Sequence, residues 1–273
     1  MTLHWHYSCL HIAMSEDELK SFFNKHRIKA IINNYQVLKR TLYYATIGED
    51  HLPAILFIHG APASMTIYKE FFTDEELLKR FCMYAVDRAG FGVTDGRTEP
   101  SIKKQAEMIF PLAERIQRVH QPLIIMAGSY GVPIACRLVI DHPNIVQGLV
   151  LVAPSLGPGL EKMYWITPLL ANGFLSKVVS KEYKSASIEK MNHKKELEKM
   201  LPLWSKIDVP VFYLQSENDP VVYPSNAEFA KQHLTGTPYL KIHFFKGRKH
   251  DIDSRHHLAI RNKLLELFKM LMK

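Results

Sequence analysis

Short apolar runs alternate with helix-like stretches along most of this chain. Each run is rich in aliphatic and aromatic side chains, as expected for buried strands. Between most of the runs, apolar positions recur at three- and four-residue spacing, which is typical of helices with one buried face. This alternation predicts the α/β class, with a mostly parallel central sheet flanked by helices. The predicted strands are 54–58, 81–86, 122–126, 146–152, 209–214 and 239–245.

The beginning of the chain has a different pattern. Residues 30–37 and 41–47 are two strand-like segments joined by only three residues, which favours an antiparallel pair ahead of the parallel strands. Polar residues that commonly cap helices precede three predicted helices: Ser15, Asp74 and Ser101.

Strand-like patterning stops between residues 154 and 206. Glycines and prolines break the chain near Pro158, and a helical, lysine-rich stretch runs from Lys181 to Met200. We therefore predict an insertion in one α/β unit. The predicted core is 1–154 and 207–273, with 1–29 as an N-terminal arm, and the predicted insertion is 155–206.

The segment from Ala127 to Gly131, Ala-Gly-Ser-Tyr-Gly, joins a predicted strand directly to a predicted helix. A serine on so tight a turn is held in a strained backbone conformation with its hydroxyl exposed. The residues two before and two after Ser129 must be small, because strand and helix nearly touch there. Ala127 and Gly131 meet this need, so the segment has the pattern of a nucleophile elbow.

A serine hydroxyl needs a base that accepts its proton, and histidine is the usual one. The chain has fourteen histidines. Four precede the predicted core, His59 belongs to a glycine turn, and His142 follows the helix after the elbow. His250 lies in the loop directly after the last predicted strand, at the edge where an open parallel sheet carries its reactive groups. We therefore predict His250 as the base.

An acid that orients the imidazole is expected on a neighbouring loop. Asp219 and Glu217 both follow the strand at 209–214, whereas Asp208 precedes it and so lies at the wrong end of the sheet. Position leaves Asp219 and Glu217 as candidates.

Two glycine-containing turns in the first half complete the pattern. His59-Gly60-Ala61-Pro62 follows one predicted strand, and Asp87-Arg88-Ala89-Gly90-Phe91-Gly92-Val93-Thr94 follows the next. With the elbow and the loops carrying Asp219 and His250, these motifs resemble, in kind and order, the α/β-hydrolase superfamily. The resemblance covers the chain from about residue 53 to the last helix. The departures are alanine as the first residue of the elbow and a single glycine before His250.

The resemblance implies a role for each motif. Ser129 would be the nucleophile, His250 the base and Asp219 the orienting acid. The backbone N–H groups of Ala61 and Tyr130 would form the oxyanion hole. Asp87 and Asp95 are expected to brace their glycine loop. No metal or other cofactor is expected.

The resemblance also implies that residues 155–206 form a helical cap over the site. Its apolar side chains would then form the ceiling of an apolar pocket, with packing of the cap onto the sheet as the alternative for each one. They are Met163, Tyr164, Trp165, Ile166, Leu169, Leu170, Phe174 and Leu175.

Composition adds limits on partners and location. The net charge of +8 is spread over two presumed helical regions without an aromatic platform, so we predict a solvated basic surface and no nucleic-acid binding. No apolar run reaches the ~20 residues needed to span a bilayer. Cys82 and Cys136 are predicted as buried free thiols, and Cys9 has no predicted partner. We expect a cytoplasmic protein, with membrane association as the alternative if the native N-terminus is longer.

The predicted activity is that of a serine hydrolase that cleaves the carboxylic ester of a small, largely apolar substrate through an acyl-enzyme on Ser129. Hydrolysis of a carbon–carbon bond, a thioester or a lactone by the same residues is an alternative. A small-molecule receptor that retains the three residues is another. The oligomeric state is not predicted.

Overall fold

The computed structural model describes residues 13–94, 96–247 and 249–273. Cys9, Asp95 and the histidines before residue 13 lie outside the described residues, as does the side chain of Phe174.

The strands of the described chain form a single sheet of eight, in the order β1-β2-β4-β3-β5-β6-β7-β8. β2 pairs antiparallel with β1 and β4, and every other neighbouring pair is parallel. The predicted α/β class is confirmed. The strands are β1 (Ala30–Val37), β2 (Arg40–Ile47), β3 (Ala54–Ile58), β4 (Cys82–Val86), β5 (Leu123–Gly128), β6 (Gly148–Val152), β7 (Val211–Ser216) and β8 (Leu240–Phe245).

Helices cover both faces of this sheet, so residues on the central strands are buried on both sides. Along β3, Leu56 and Ile58 face one core and Ile55 and Phe57 face the other. The helices are α1 (Glu16–Lys25), α2 (Lys69–Phe72), α3 (Glu75–Leu78), α4 (Ile102–Val119), α5 (Gly131–Asp141), α6 (Thr167–Asn172), α7 (Lys181–Met200), α8 (Asn226–His233), α9 (Ile252–Arg255) and α10 (His257–Leu271). The first core includes residues of α4 and α5, and the second includes residues of α1, α2 and α10.

The three predicted helix caps are confirmed. The Ser15 hydroxyl accepts the N–H of Glu18, whose carboxylate accepts the N–H of Ser15 in return. Asp74 accepts two N–H groups at the start of α3, and Ser101 accepts one at the start of α4. These contacts satisfy N–H groups that have no partner within their own helix.

The segment between β6 and β7 contains α6, α7 and two short 3-10 helices, Phe174–Lys177 and Trp204–Lys206. Two features differ from the expectation of an apolar ceiling. Trp165 is 83% exposed, and Met163, Tyr164 and Leu169 are exposed as well. The buried face of α7 is instead largely polar. The division into a core and a cap stays a prediction. No helix in the described part of the chain is both long and apolar enough to cross a bilayer.

The carboxyl ends of β3 and β5 meet at one edge of the sheet. These strands are neighbours, but the chain runs from β3 to β4 on one side before it returns to β5 on the other. Such a switch point opens a crevice beyond the strand ends, where open α/β sheets place their sites.

Candidate active site

Ser129 stands between the end of β5 and the start of α5 with a φ of 47°, in the left-handed region that non-glycine residues seldom adopt. Its N–H donates to the carbonyl of Val152 on the next strand over 2.8 Å. A side chain at Gly131 would bring its Cβ within 2.5 Å of the carbonyl oxygen of Ile58. This close backbone contact explains why the elbow requires a small residue at Gly131.

His250 joins Ser129 to Asp219. Its Nε2 atom lies 3.0 Å from Ser129 Oγ, and its Nδ1 atom lies 2.8 Å from Asp219 Oδ2. The other carboxylate oxygen of Asp219 accepts the N–H groups of Val221 and Val222 at 2.8 and 3.0 Å. These two donors fix the carboxylate, so Oδ2 can hold a proton on Nδ1 and leave Nε2 free to accept the serine proton.

The rival residues lie elsewhere. Glu217 is exposed, and Asp208 precedes β7 at the opposite edge of the sheet. His142 ends α5, and its ring stacks on Phe110 at 3.5 Å. Among the described histidines, His250 is the one whose ring hydrogen-bonds to a serine hydroxyl.

The turn after β3 passes directly beside the nucleophile. A Cβ atom built on Gly60 would lie 2.9 Å from the Cβ atom of Ser129, so the backbone can run there only as glycine. Within the described chain, neither the N–H of Ala61 nor that of Tyr130 donates a hydrogen bond. Two backbone donors near the serine therefore remain available to an incoming oxyanion.

Arg88 fixes this turn from behind. The side chain is fully buried, and its Nε and Nη2 atoms donate to the carbonyls of His59 and Gly60, each over 2.8 Å. The Arg88 N–H donates to His59 Nε2, and His59 Nδ1 donates to the Gly60 carbonyl at 2.7 Å. Burial, together with the charge of Arg88, holds the pKa of His59 well below its ordinary value, so the ring is neutral, as this bonding pattern requires.

The guanidinium also reaches α7. Its Nη1 and Nη2 atoms donate to the two carboxylate oxygens of Glu189, which is equally buried, and Gln105 donates to Glu189 over 2.8 Å. The sequence does not reveal this contact, because Glu189 stands in a lysine-rich stretch that resembles a solvated surface.

A second polar cluster, formed by α7 residues and Glu161, lies against the elbow. His193 Nδ1 and Lys190 Nζ each lie 2.8 Å from Glu161 Oε1, and the His193 ring packs on the Tyr130 ring at 4.4 Å. Although burial favours the neutral carboxyl, the contacts with His193 and Lys190 lower the pKa of Glu161 to about 2. Glu161 is thus ionised at neutral pH.

Two buried aspartates lie beside the site. Asp87 accepts the N–H groups of Met65 and Val93 at 2.7 and 2.8 Å, which braces the glycine loop as expected. Burial raises the pKa of Asp87 to about 6, and it does the same for Asp253, which lies behind Gly128 of the elbow.

Two further features bear on ligands. A cavity of about 640 Å³ opens beside the loop that carries Asp219, but Ser129 does not line it. The lining residues are Lys162, Asn218, Asp219, Pro220, Tyr223, Pro224 and Gly247. Among the described residues, one set of potential metal ligands lies close together, Glu49, Asp50 and His51, all exposed on the loop before β3. That loop precedes β3, at the opposite edge of the sheet from Ser129.

The fold and the arrangement of these loops are those of an α/β hydrolase. The family described as serine aminopeptidase, S33 (Hydrolase_4) matches residues 49–199, more than half of the chain, and the protein belongs to this family.

A curated relative is the pimeloyl-[acyl-carrier protein] methyl ester esterase of Proteus mirabilis, 29% identical over 114 residues. The alignment covers 42% of this chain, and the chain spans only 41% of that relative's length.

Solved structures with the same fold cover nearly the whole chain. Naproxen esterase (carboxylesterase NP) from Bacillus subtilis has a TM-score of 0.67 at 12% identity, covering 93% of this chain and 99% of its own. Wild-type Cfl2 from Burkholderia cenocepacia has a TM-score of 0.71 at 15% identity, covering 88% of this chain and 96% of its own. At these identities the likeness concerns the fold alone.

Proposed function

We propose that this protein is a serine hydrolase that cleaves the carboxylic ester of a small, largely apolar substrate. The observation that carries the proposal is the continuous chain of hydrogen bonds from Ser129 Oγ through His250 to Asp219, at 3.0 and 2.8 Å. Membership in a hydrolase family supports it, as does the esterase activity named for the Proteus mirabilis relative.

In the first half-reaction, Ser129 Oγ attacks the carbonyl carbon of the ester while His250 Nε2 accepts its proton. The carbonyl oxygen becomes an oxyanion and accepts hydrogen bonds from the N–H groups of Ala61 and Tyr130. His250, now positively charged and stabilised by Asp219, then gives its proton to the leaving alcohol oxygen. The products are the free alcohol and an acyl group on Ser129.

In the second half-reaction, His250 Nε2 takes a proton from a water molecule that attacks the acyl carbon. The same two N–H groups bind the second oxyanion. When this oxyanion collapses, His250 returns the proton to Ser129 Oγ and the carboxylic acid is released, so the enzyme is regenerated.

Three further parts of the proposal come from the sequence alone. Residues 155–206 serve as the cap, and their apolar members favour an apolar acyl or alcohol group. The compartment is the cytoplasm. The alternative functions use the same three residues. They are hydrolysis of a thioester, a lactone or a carbon–carbon bond, and a small-molecule receptor that keeps the three residues with little turnover.

The test combines covalent labelling with turnover. A fluorophosphonate should label Ser129, as mapped by mass spectrometry, and the protein should hydrolyse p-nitrophenyl esters in a chain-length series. Ser129→Ala should abolish both. The matched control is Ser155→Ala, a buried serine just beyond the neighbouring strand β6, which should keep the label.

Labelling of another serine would refute the assignment of the nucleophile. A labelled protein that binds esters without releasing product at a measurable rate would favour the receptor.

A further inference from the structure

The buried face of α7 is unusual because it is held by polar contacts. Five of its buried side chains can form hydrogen bonds: Ser185, Ser187, Glu189, His193 and Glu196. Ser185 donates to the carbonyl of Gly90, and Glu196 accepts the N–H of Ile102 at the start of α4. A buried ion pair is seldom more stabilising than apolar side chains of the same volume. Stability alone therefore gives little reason for a buried glutamate–arginine pair on this face.

The Arg88–Glu189 pair lies beside the peptide group that joins Gly60 to Ala61. Arg88 holds both carboxylate oxygens of Glu189 on one side and the carbonyl oxygens of His59 and Gly60 on the other. The Gly60 carbonyl also accepts from His59 Nδ1, so it is held by two donors.

The Gly60 carbonyl and the Ala61 N–H belong to the same peptide unit. That unit is planar and trans, so its C=O and N–H point in opposite directions and turn together. A guanidinium that fixes the carbonyl therefore fixes the direction of the N–H on the other side. The carbonyl is bonded to Arg88 and His59, whereas the N–H has no partner within the described chain.

The second oxyanion donor is held from the same helix. The Tyr130 ring contacts the Arg88 guanidinium, 5.1 Å from its centroid, and the His193 ring at 4.4 Å. Its hydroxyl donates to the carbonyl of Pro100 over 3.2 Å. The side chain of the residue that carries the second N–H is thus held by three contacts, two at its ring and one at its hydroxyl.

We propose that α7 sets the geometry of the oxyanion hole through Glu189, which orients Arg88 and thereby the Gly60–Ala61 peptide. Arg88 and Glu189 are positioning residues, since neither touches the reacting atoms. The inference rests on the proposed function and deepens it: the insertion contributes to the rate of the chemical step as well as covering substrate.

The test compares two variants of one helix. Glu189→Gln removes one of the two carboxylate oxygens that accept from the guanidinium, whereas Glu196→Gln keeps a carbonyl oxygen for the N–H of Ile102. Loss of a whole oxyanion donor lowers kcat by about 10²–10³, and misplacement by 1 Å costs about 10². We expect Glu189→Gln to lower kcat at least tenfold with KM little changed, and Glu196→Gln to retain kcat within a factor of about two.

A role in the fold alone would lower the amount of active enzyme without changing its preference between substrates. Each variant is therefore assayed on an ester and on the matching thionoester, in which sulfur, a weak hydrogen-bond acceptor, replaces the carbonyl oxygen. Wild type should prefer the ester, and Glu189→Gln should reduce that preference, because the hydrogen bonds it weakens are stronger to oxygen than to sulfur. An unchanged kcat or an unchanged ratio in Glu189→Gln would overturn the proposal.

Arg88→Lys provides the second variant, should Glu189→Gln not fold. It keeps the buried positive charge but replaces the planar fork by a single point donor, which cannot hold Glu189 and both carbonyls together. Retention of the wild-type ratio in this variant would equally overturn the proposal. If wild type is neither labelled by a fluorophosphonate nor active on any ester, the proposed function fails. If wild type is labelled and both variants behave like it, only the positioning role fails.

Discussion

Replacement of Asp219 by asparagine should disable the base without disturbing the fold. In the structure Asp219 Oδ1 accepts two N–H groups, from Val221 and Val222, while Oδ2 faces His250 Nδ1. An asparagine must keep its carbonyl oxygen toward the two N–H groups, because an amide NH₂ there would place donor against donor. Its NH₂ group therefore faces His250 Nδ1 and makes that atom an acceptor.

The consequence for His250 is the wrong tautomer. With Nδ1 unprotonated, the ring proton lies on Nε2, the atom that must accept the proton of Ser129 Oγ. The expected loss in kcat is about 10⁴, the scale found when the orienting aspartate of a triad is replaced by asparagine. This loss corresponds to an increase of about 5.4 kcal/mol in the activation free energy, since each tenfold change in rate is about 1.36 kcal/mol.

The assay is kcat for a p-nitrophenyl ester, with the midpoint of thermal unfolding measured on the same preparations. The matched control is Glu217→Gln on the same loop, an exposed side chain that should change kcat by less than about twofold. If Asp219→Asn retains a tenth of wild-type activity, or if Glu217→Gln is the inactive variant, the assignment of the acid is wrong.

Two further predictions concern stability. The pKa values of Asp87 and Asp253 are raised to about 6, above the ordinary 3.8, so their stabilising contribution is complete below pH 3.8 and is lost as pH rises through 6. The loss is up to about 3 kcal/mol of unfolding free energy per carboxyl. The unfolding free energy measured in urea should therefore depend less steeply on pH in Asp253→Asn than in wild type. Equal slopes in the two proteins would contradict the assigned shift. Trp165→Ala, at an 83% exposed position, should change the unfolding free energy by less than about 0.5 kcal/mol, whereas the matched Trp204→Ala in the core should lose about 3–5 kcal/mol. A large loss for Trp165→Ala would show that its side chain packs against the fold, and an altered acyl-chain profile would show that it contacts substrate.

The elements of the fold were predictable because their signals are local. The strand at 54–58 and the helix from Lys181 to Met200 lie where the sequence patterns place them. The caps Ser15 and Ser101 act on N–H groups within three residues of themselves. Such signals depend on neighbours in the chain, so they can be found without knowledge of the tertiary fold.

The buried polar contacts were not predictable in this way. Glu189 and Arg88 are separated by 101 residues, and nothing beside Glu189 in the chain marks it as buried. Helical periodicity assigns polar residues to the solvent, so a helix with a polar buried face is interpreted with the wrong side inward. The apolar residues near Trp165 were expected over the pocket because the resemblance implies a cap there, whereas the structure leaves several of them exposed.

The candidate site falls between these cases. Motif order identified Ser129, Asp219 and His250, and the structure brings their side chains within hydrogen-bond distance. The family match confirms the superfamily, while the catalytic roles of these residues and of the Ala61 and Tyr130 N–H groups stay predictions.

The base and the oxyanion hole can be separated by experiment because different parts of the structure hold them. Asp219→Asn acts on proton transfer at His250 and leaves Arg88 and the Gly60 carbonyl bonded as before. It should therefore lower the ester and thionoester rates by the same factor, whereas Glu189→Gln should lower the ester rate more. If both variants changed the ratio, the orientation of His250 and that of the Gly60–Ala61 peptide would be coupled. The contact that could carry such coupling is the close approach of Gly60 to Ser129, where a single Cβ atom would already lie within 2.9 Å of the serine side chain.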